Sequence, residues 1–380
     1  MKCGVFLQVF LKRKNIFLSL LGTFLVFTLV MFYGSIPGIL TNLLVLFFRF
    51  LISLSRSIHL HLPSKLMGIV EEDIIVMTQI LFTVILAAIW FLRYDLKKGK
   101  ALLKNLRFTR SFHYIIMVIM GISLYFYDMR ETDVFILIKI MGMLCAIFFA
   151  CQFSAVVNDI FDIECDRISN KDRPLITGVL DKSEYLKVGV VYLAFALLFA
   201  IWVSDTCFMI TLVFIAMYFI YSVPPFRLKR FFPISSMIIG IQALLAFLLG
   251  QMSLETEGVQ TFIYPSILWL IFLAFMLSSN IKDLKDIEGD RHCGVYSLPI
   301  IFGEVKARQI IACLVFLSYL IVPLFLYPMF YKSIILILSF LFGLANYFYI
   351  KRKNAQEKII FYIYFMYTFM MLLFLFSTQK

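Results

Sequence analysis

Long apolar segments separated by short polar ones run along almost the whole chain. A helix that crosses a bilayer needs about 20 mostly apolar residues. These segments are apolar on all sides and do not alternate, so they predict transmembrane helices and not the strands of a β-barrel. Nine of them follow one another in the larger, C-terminal part, at about 112–127, 134–158, 185–203, 207–222, 234–252, 261–281, 309–326, 333–350 and 359–376.

The first 110 residues follow a different pattern. A basic stretch runs from Arg93 to Arg110, and we interpret it as a cytoplasmic linker. Arg49 and Arg56 favour an interfacial or re-entrant position for the second of the three apolar runs that precede it. Those three runs cover about 16–33, 38–54 and 74–92.

Composition supports a membrane protein. The chain of 380 residues is 62% hydrophobic and only 15% charged, whereas soluble domains are about 45–50% apolar and about 25% charged. The bias extends along the whole chain, so lipid is the solvent for most of it. We therefore predict an all-α, polytopic integral membrane protein with several spans.

The net charge of +12 has an explanation that needs no nucleic acid. Basic residues concentrate in alternate loops between the nine segments, and the opposite side carries only Arg130, Lys332 and Lys380. Cytoplasmic loops are enriched in Lys and Arg and face anionic lipid. The pattern therefore predicts membrane lipid as a partner, no nucleic acid, and a cytoplasmic position for the basic loops.

The seven cysteines show no paired spacing, and most lie within apolar segments. This pattern predicts neither a disulfide framework nor a zinc site.

Two carboxylate-rich clusters, Asn158–Asp166 and Asp283–Asp290, lie where apolar segments meet the predicted cytoplasmic side. Like charges on neighbouring helical positions repel, and ionised groups near lipid are costly. A divalent cation offsets both effects, and Mg2+ prefers carboxylates together with substrate phosphates. The clusters therefore predict a Mg2+–diphosphate site. Their spacing places three residues of each on one face of a helix: Asn158, Asp162 and Asp166, then Asp283, Asp286 and Asp290.

Five further residues are suited to holding phosphate oxygens. Lys171 and Arg173 follow the first cluster, and Tyr221, Arg227 and Lys229 lie at the inner end of the fourth segment. Arginine binds phosphate in a bidentate manner, lysine binds it as a point charge, and tyrosine donates a hydrogen bond.

These motifs resemble the UbiA superfamily of intramembrane prenyltransferases, in particular the homogentisate, chlorophyll and geranylgeranylglyceryl-phosphate types. Members carry N-D-x-x-D-x-x-x-D followed by R-P-L, then Y-S-x-P-P-x-R/K-x-K, then D-x-x-D-x-x-x-D-R trailing to G-x-x-S/T-L-P. The matching residues are Asn158, Asp159, Asp162, Asp166, Arg173-Pro174-Leu175, Tyr221-Ser222, Pro224-Pro225, Arg227, Lys229, Asp283, Asp286, Asp290, Arg291, Gly294 and Ser297-Leu298-Pro299.

The resemblance covers about 108–376 and implies a nine-helix bundle with a central cavity and a cytoplasmic cap. It divides the chain into a UbiA-like domain, 108–380, and an N-terminal extension, 1–107, of two to three further hydrophobic helices and the basic linker. Family members often begin the first helix with Arg-Pro, whereas here Ser111 follows Arg110.

The resemblance also implies an activity, the transfer of a polyprenyl group from an isoprenyl diphosphate to a hydrophobic aromatic or lipid acceptor. Asp283 or Asp290 would orient or deprotonate that acceptor. The implied ligands of Mg2+ are Asn158, Asp162, Asp166, Asp283 and Asp286. The implied phosphate-binding residues are Lys171, Arg173, Tyr221, Arg227 and Lys229.

Alternative functions remain open at this level. A phosphoribosyl-type transferase of the same superfamily would use polyprenyl phosphate as acceptor. A divalent-cation transporter would use the Asp clusters as its ion site, although transporter carboxylates usually lie near mid-membrane. The sequence does not indicate the acceptor, the donor chain length or the oligomeric state.

Overall fold

The computed structural model describes residues 83–86, 89, 95–128, 134–254, 265–325, 332–352 and 354–377. The chain divides into two compact units, Met1–Trp90 and Phe91–Lys380. The predicted runs 16–33 and 38–54 lie outside the described residues, as does most of 74–92. The rest of the description concerns the second unit, and the predicted domain boundary at 107/108 stays a prediction.

Helices account for the regular structure of the second unit in its described residues, and nine long ones coincide with the nine apolar segments. Seven segments, those of α3, α5 to α8, α11 and α13, have the length and hydropathy of a membrane span. The helices are α1 (Leu96–Asn105), α2 (Phe108–Asp128), α3 (Val134–Phe161), α4 (Ile163–Ser169), α5 (Lys182–Val203), α6 (Asp205–Ser222), α7 (Ile234–Met252), α8 (Pro265–Ser278), α9 (Ile287–His292), α10 (Leu298–Phe302), α11 (Glu304–Leu320), α12 (Val322–Phe325), α13 (Lys332–Ile350) and α14 (Glu357–Ser377).

Large apolar side chains cover the outside of the bundle. Met209, Ile337 and Tyr362 are 59%, 58% and 61% exposed. Exposure of so many apolar side chains is unfavourable in water but matches a lipid environment. Small residues such as Ala146 and Ala200 are fully buried between the helices. This arrangement agrees with membrane bundles, in which small residues allow helices to approach closely.

Helices α2 and α7 cross in close contact. A Cβ atom added at Gly250 would lie 2.0 Å from the backbone oxygen of Val118, and one added at Gly121 would lie 2.1 Å from the backbone oxygen of Phe247. The two glycines therefore allow backbone-to-backbone contact, and no side chain can move aside to admit a methyl group. This crossing fixes the position of α2, which lines the cavity described below.

We expect Gly250→Ala to destabilise the bundle by about 1–3 kcal/mol, because overpacking against backbone outweighs the gain in helix propensity. Gly343→Ala is the matched control, since a methyl group there would meet the ring of Phe316, a side chain that can rotate. Thermal unfolding in detergent measures both variants. Equal unfolding midpoints for the two variants would contradict the backbone-to-backbone contact between α2 and α7.

Part of the basic stretch is helical. α1 begins after Asp95, whose carboxylate caps it by accepting from the backbone amide of Lys98 at 3.0 Å. The Lys98 ammonium forms an ion pair with Glu184 at the start of α5. The stretch that sequence analysis interprets as a linker therefore contains a capped helix held against the bundle.

Candidate active site

Each Asp motif interrupts a helix. α3 ends at Phe161 and α4 begins at Ile163, with Asp162 between them at φ −110° and ψ 12°. In the second motif a 3-10 helix, Ser279–Leu284, is followed by Asp286 at φ −99° and ψ 15°, and then by α9. The expectation that each motif occupies one face of a continuous helix is therefore wrong.

The interruption has a physical consequence at both motifs. Both Asp162 and Asp286 adopt the bridge region of backbone conformation, in which many active-site residues lie. Each is followed by a short helix, α4 of seven residues and α9 of six. The helix is thus broken within each motif, and the two motifs share this local structure.

The short helices α4 and α9 pack against each other and bring the two motifs together. The backbone amide of Gly289 donates to Ser169 Oγ at 3.1 Å. Asn170 Nδ2 donates to Asp166 Oδ1 at 3.2 Å and to Asp286 Oδ1 at 3.4 Å. One amide therefore bridges a carboxylate of each motif.

A disulfide joins α4 to the residue that follows α9. It connects Cys165 with Cys293, whose Cα atoms are 5.9 Å apart. The expectation that the sequence contains no disulfide is wrong at this pair. Its members are 128 residues apart, so only the meeting of the two motifs makes them partners.

A cavity extends from the motifs into the bundle between α2, α3, α6, α7, α8 and α14. Its deeper wall includes the apolar side chains of Ile239, Phe275 and Phe361. The cavity thus has a charged end, where carboxylates lie beside cations such as Arg173 and Lys229, and an apolar part. The cations suit an anionic head group, and the apolar part suits a hydrocarbon tail. The predicted site residues that line it are Asn158, Asp162, Asp166, Arg173, Tyr221, Lys229, Asp283, Asp286 and Asp290.

Two cations neutralise Asp162. Arg227 Nη2 donates to Asp162 Oδ1 at 2.9 Å, and the Lys229 ammonium donates to the other oxygen. Lys229 Nζ also donates to Asn158 Oδ1 at 3.2 Å. Burial lowers the pKa of Lys229, and the Asp162 carboxylate opposes that effect. Arg227 has φ +41°, a strained left-handed conformation of the kind that clusters at functional sites.

Arg173 neutralises Asp166 and also binds a carboxylate that sequence analysis did not include among the site residues. Its Nη1 donates to Asp166 and, at 2.8 Å, to Asp159 Oδ1. Burial raises the pKa of Asp166 to about 6, and the Arg173 guanidinium opposes this. Asp159 is 2% exposed. Asp159 belongs to the Asn158-Asp159 pair that opens the first motif, and this pair was the feature of the sequence that could have marked it as a site residue.

A fourth cation, Lys282, is not among the site residues predicted from the sequence. Its ammonium donates to the hydroxyl of Tyr221 and lies 5.0 Å from the centre of that ring. Both residues line the cavity, together with Arg110. Lys282 directly precedes Asp283 in the motif, and this was the signal available from the sequence.

The remaining predicted site residues differ in their burial and in whether they line the cavity. Asp283 is 8% exposed. Asp290 is half-buried, and burial raises its pKa to about 6. Arg227 reaches the site through Asp162 without lining the cavity, and Lys171 is exposed and outside the set of lining residues.

Among the residues that the structure describes, no three carboxylate, histidine or cysteine side chains are grouped closely enough to form a metal site. The carboxylates Asp162 and Asp166 are engaged by Arg227, Lys229 and Arg173. This arrangement is expected where like charges would repel without a cation between them.

Comparison with known proteins agrees with this geometry. The UbiA prenyltransferase family matches residues 115–373. The digeranylgeranylglyceryl phosphate synthase of Methanocaldococcus jannaschii is 29% identical over 234 residues, which cover 60% of this chain and 77% of that protein. The 2-acylphloroglucinol 4-prenyltransferase of Humulus lupulus is 32% identical over 210 residues, which cover 53% of this chain and 50% of that protein.

The fold has solved counterparts. A UbiA homolog from Archaeoglobus fulgidus, bound to GPP and Mg2+, superposes with a TM-score of 0.56 at 19% identity, covering 73% of this chain and 98% of that chain. At that identity the likeness concerns the fold, and it confirms the predicted all-α membrane architecture. The predicted class of enzyme, a membrane prenyltransferase, is confirmed by the family match and the named relatives. This chain belongs to the UbiA prenyltransferase family.

Proposed function

We propose that this protein transfers a polyprenyl group from an isoprenyl diphosphate to a hydrophobic aromatic or lipid acceptor in a Mg2+-dependent reaction. The observation that carries the proposal is the cavity, which has carboxylates of both Asp motifs at one end and apolar side chains deeper in the bundle. The names of the relatives, a glycerophosphate lipid synthase and an aromatic prenyltransferase, support both acceptor classes. The GPP and Mg2+ of the Archaeoglobus homolog support the donor.

The donor set fits Mg2+. Hard carboxylate and amide oxygens line the cavity, and Mg2+ is usually held by one or two carboxylates plus substrate phosphates. The proposed ligands are Asn158, Asp162, Asp166, Asp283 and Asp286. When bound, the metal would supply positive charge that stabilises the leaving diphosphate.

The cations now paired with carboxylates are the proposed phosphate ligands. Arg227 and Lys229 bind Asp162, and Arg173 binds Asp166. We propose that they exchange these carboxylates for phosphate oxygens when the donor enters, with Tyr221 donating a further hydrogen bond. Charge-assisted hydrogen bonds of this kind are about twice as strong as neutral ones.

The reaction then proceeds in the apolar part of the cavity. The bond between the allylic carbon and the diphosphate oxygen breaks, and its electron pair leaves with the diphosphate. A nucleophilic carbon or oxygen of the acceptor bonds to the allylic carbon, and the acceptor loses a proton. Asp283 or Asp290 orients the acceptor or takes the proton. The pKa of Asp290, raised to about 6 by burial, suits a base that works near neutral pH.

The orientation of the site belongs to the same proposal. The basic loops adjoin the ends of the helices that carry the Asp motifs, and such loops are retained in the cytoplasm. We therefore place the Asp motifs on the cytoplasmic side, where a soluble pool of isoprenyl diphosphate and Mg2+ can reach them.

Lys229 and Lys171, the two lysines that the sequence predicts to bind phosphate, provide a matched comparison. Lys229→Met removes a buried cation from the cavity, and we expect the KM for the diphosphate donor to rise about 10- to 100-fold, because a hydrogen bond to a charged group is lost. Lys171→Met, at an exposed position outside the cavity, should change the donor KM less than about 3-fold. Steady-state kinetics with varied donor distinguish the two. A similar rise for both variants would contradict the assignment of Lys229.

A transfer assay tests the function itself. Purified protein in detergent receives radiolabelled geranylgeranyl diphosphate, Mg2+ and, in separate reactions, aromatic quinone precursors or glycerophosphate lipids. Labelled lipid-soluble product that disappears with a chelator supports the proposal and identifies the acceptor class. Folded protein that neither binds the donor with Mg2+ nor releases diphosphate would refute it.

A further inference from the structure

The segment between α1 and α2 precedes the residues that match the family, 115–373, yet it reaches the site. Asn105 is the last residue of α1, and Arg107 lies directly before α2. The backbone amide of Arg107 donates to Gln152 Oε1 at 3.3 Å. This contact fixes the segment against α3, at a residue six positions before Asn158, where the first Asp motif begins.

The side chains of Asn105 and Arg107 both bind Asp159. Arg107 Nη2 donates to Asp159 Oδ1, the oxygen that also accepts from Arg173 at 2.8 Å. Asn105 Nδ2 donates to the other oxygen at 3.3 Å, as does the Tyr185 hydroxyl at 2.9 Å. The Asp159 side chain is 1% exposed, so these four donors provide its environment.

The charges of this cluster decide how Arg173 behaves. Arg107 and Arg173 share one oxygen of the buried Asp159 carboxylate. Arg173 also binds Asp166, so the cluster of two arginines and two carboxylates is balanced in charge. Without Arg107, the Asp159 and Asp166 carboxylates would outweigh Arg173, so the cluster would be net negative, would hold the guanidinium more tightly and would repel an anion in the cavity. Arg107 therefore leaves Arg173 more strongly attracted to an anion in the cavity, which both arginines line.

We propose that Arg107 is a positioning residue for donor binding, which acts through Asp159 by keeping Arg173 available to the diphosphate. The inference rests on the proposed function of the cavity. It extends the working site to residues before the family-matched region, and it gives the end of the predicted linker a role in recognising the donor.

The test compares Arg107→Gln, Arg107→Lys, Arg173→Gln and the double variant Arg107→Gln/Arg173→Gln. Lys104→Gln is the control, since it removes a charge from an exposed position of α1. Each protein is assayed for Mg2+-dependent binding of geranylgeranyl diphosphate, for donor KM, acceptor KM and kcat, and for thermal unfolding. Should Arg107→Gln not fold, Asn105→Ala tests the same cluster through the other carboxylate oxygen.

We expect Arg107→Gln to weaken donor binding about 10-fold, the effect of roughly 1.4 kcal/mol, with acceptor KM unchanged and with partial recovery in Arg107→Lys. In the Arg173→Gln background the same change should have little further effect. Asn105→Ala should weaken donor binding in the same direction. Unchanged donor binding in folded Arg107→Gln or Asn105→Ala, or effects that multiply in the double variant, would overturn the inference. Wild-type protein that binds no donor would instead refute the proposed function.

Discussion

Replacing Asp162 or Asp286 by asparagine is expected to lower prenyl transfer by about 100- to 1,000-fold or more, because each change removes a carboxylate proposed to hold the Mg2+ that would stabilise the leaving diphosphate. The two residues occupy equivalent breaks in the two motifs, with nearly the same backbone conformation. Both line the cavity. Losses of similar size at both positions are therefore the expected result, measured as kcat/KM at saturating acceptor.

The control for this prediction is Asp172→Asn, which removes a carboxylate from an exposed position of the loop after the first motif. It should retain activity within about 3-fold. Thermal unfolding accompanies each assay, because Asp162→Asn also leaves Arg227 and Lys229 without their anionic partner. A folded Asp286→Asn protein with normal Mg2+-dependent transfer would show that the second motif is not part of the site.

The largest effect on stability is expected at Asp159. Asp159→Ala leaves the guanidinium groups of Arg107 and Arg173 without the buried carboxylate that both bind. Breaking a buried ion pair by removal of one partner costs about 3–5 kcal/mol. We therefore expect a much lower unfolding midpoint.

Asp181→Ala is the matched comparison for stability. Asp181 caps α5 by accepting from the backbone amide of Glu184 at 2.8 Å, and loss of such a cap costs about 1 kcal/mol. Thermal unfolding in the same detergent compares the two variants directly. An Asp159→Ala protein as stable as Asp181→Ala would mean that the buried cluster contributes little to the fold.

The sequence was sufficient to predict the helices that span the bundle. The apolar segment 185–203 becomes α5, Lys182–Val203, and the segment 234–252 becomes α7, Ile234–Met252. In a membrane each helix satisfies its own backbone hydrogen bonds, so the length of an apolar run largely determines the element.

The sequence was not sufficient to predict how each motif is broken. A spacing of four between Asn158, Asp162 and Asp166 fits a continuous helix, and nothing local in the sequence marks Asp162 as a break. The break depends on tertiary contacts, since Arg227 and Lys229 from a distant loop bind the Asp162 carboxylate. Neither the helical spacing of the motif nor the helix propensity of its residues reveals these tertiary contacts.

Long-range partners explain the other differences. Arg107 lies 52 residues before Asp159, and in the sequence it is one of several basic residues in a stretch that looks like a linker. The disulfide between Cys165 and Cys293 likewise depends on the packing of α4 against α9. The identities of these residues were visible in the sequence, but their pairing is a property of the folded chain.

The central claim is that the two Asp motifs form one metal–diphosphate site. The most direct measurement is an experimental structure of the protein with Mn2+ in place of Mg2+ and a thiolodiphosphate analogue of geranylgeranyl diphosphate, with the metal located by its anomalous scattering. The account predicts metal within coordinating distance of Asp162 or Asp166 and of Asp283 or Asp286, with the diphosphate between the motifs and Lys229 on a phosphate oxygen. Metal bound at one motif alone, or a diphosphate bound away from both, would contradict it.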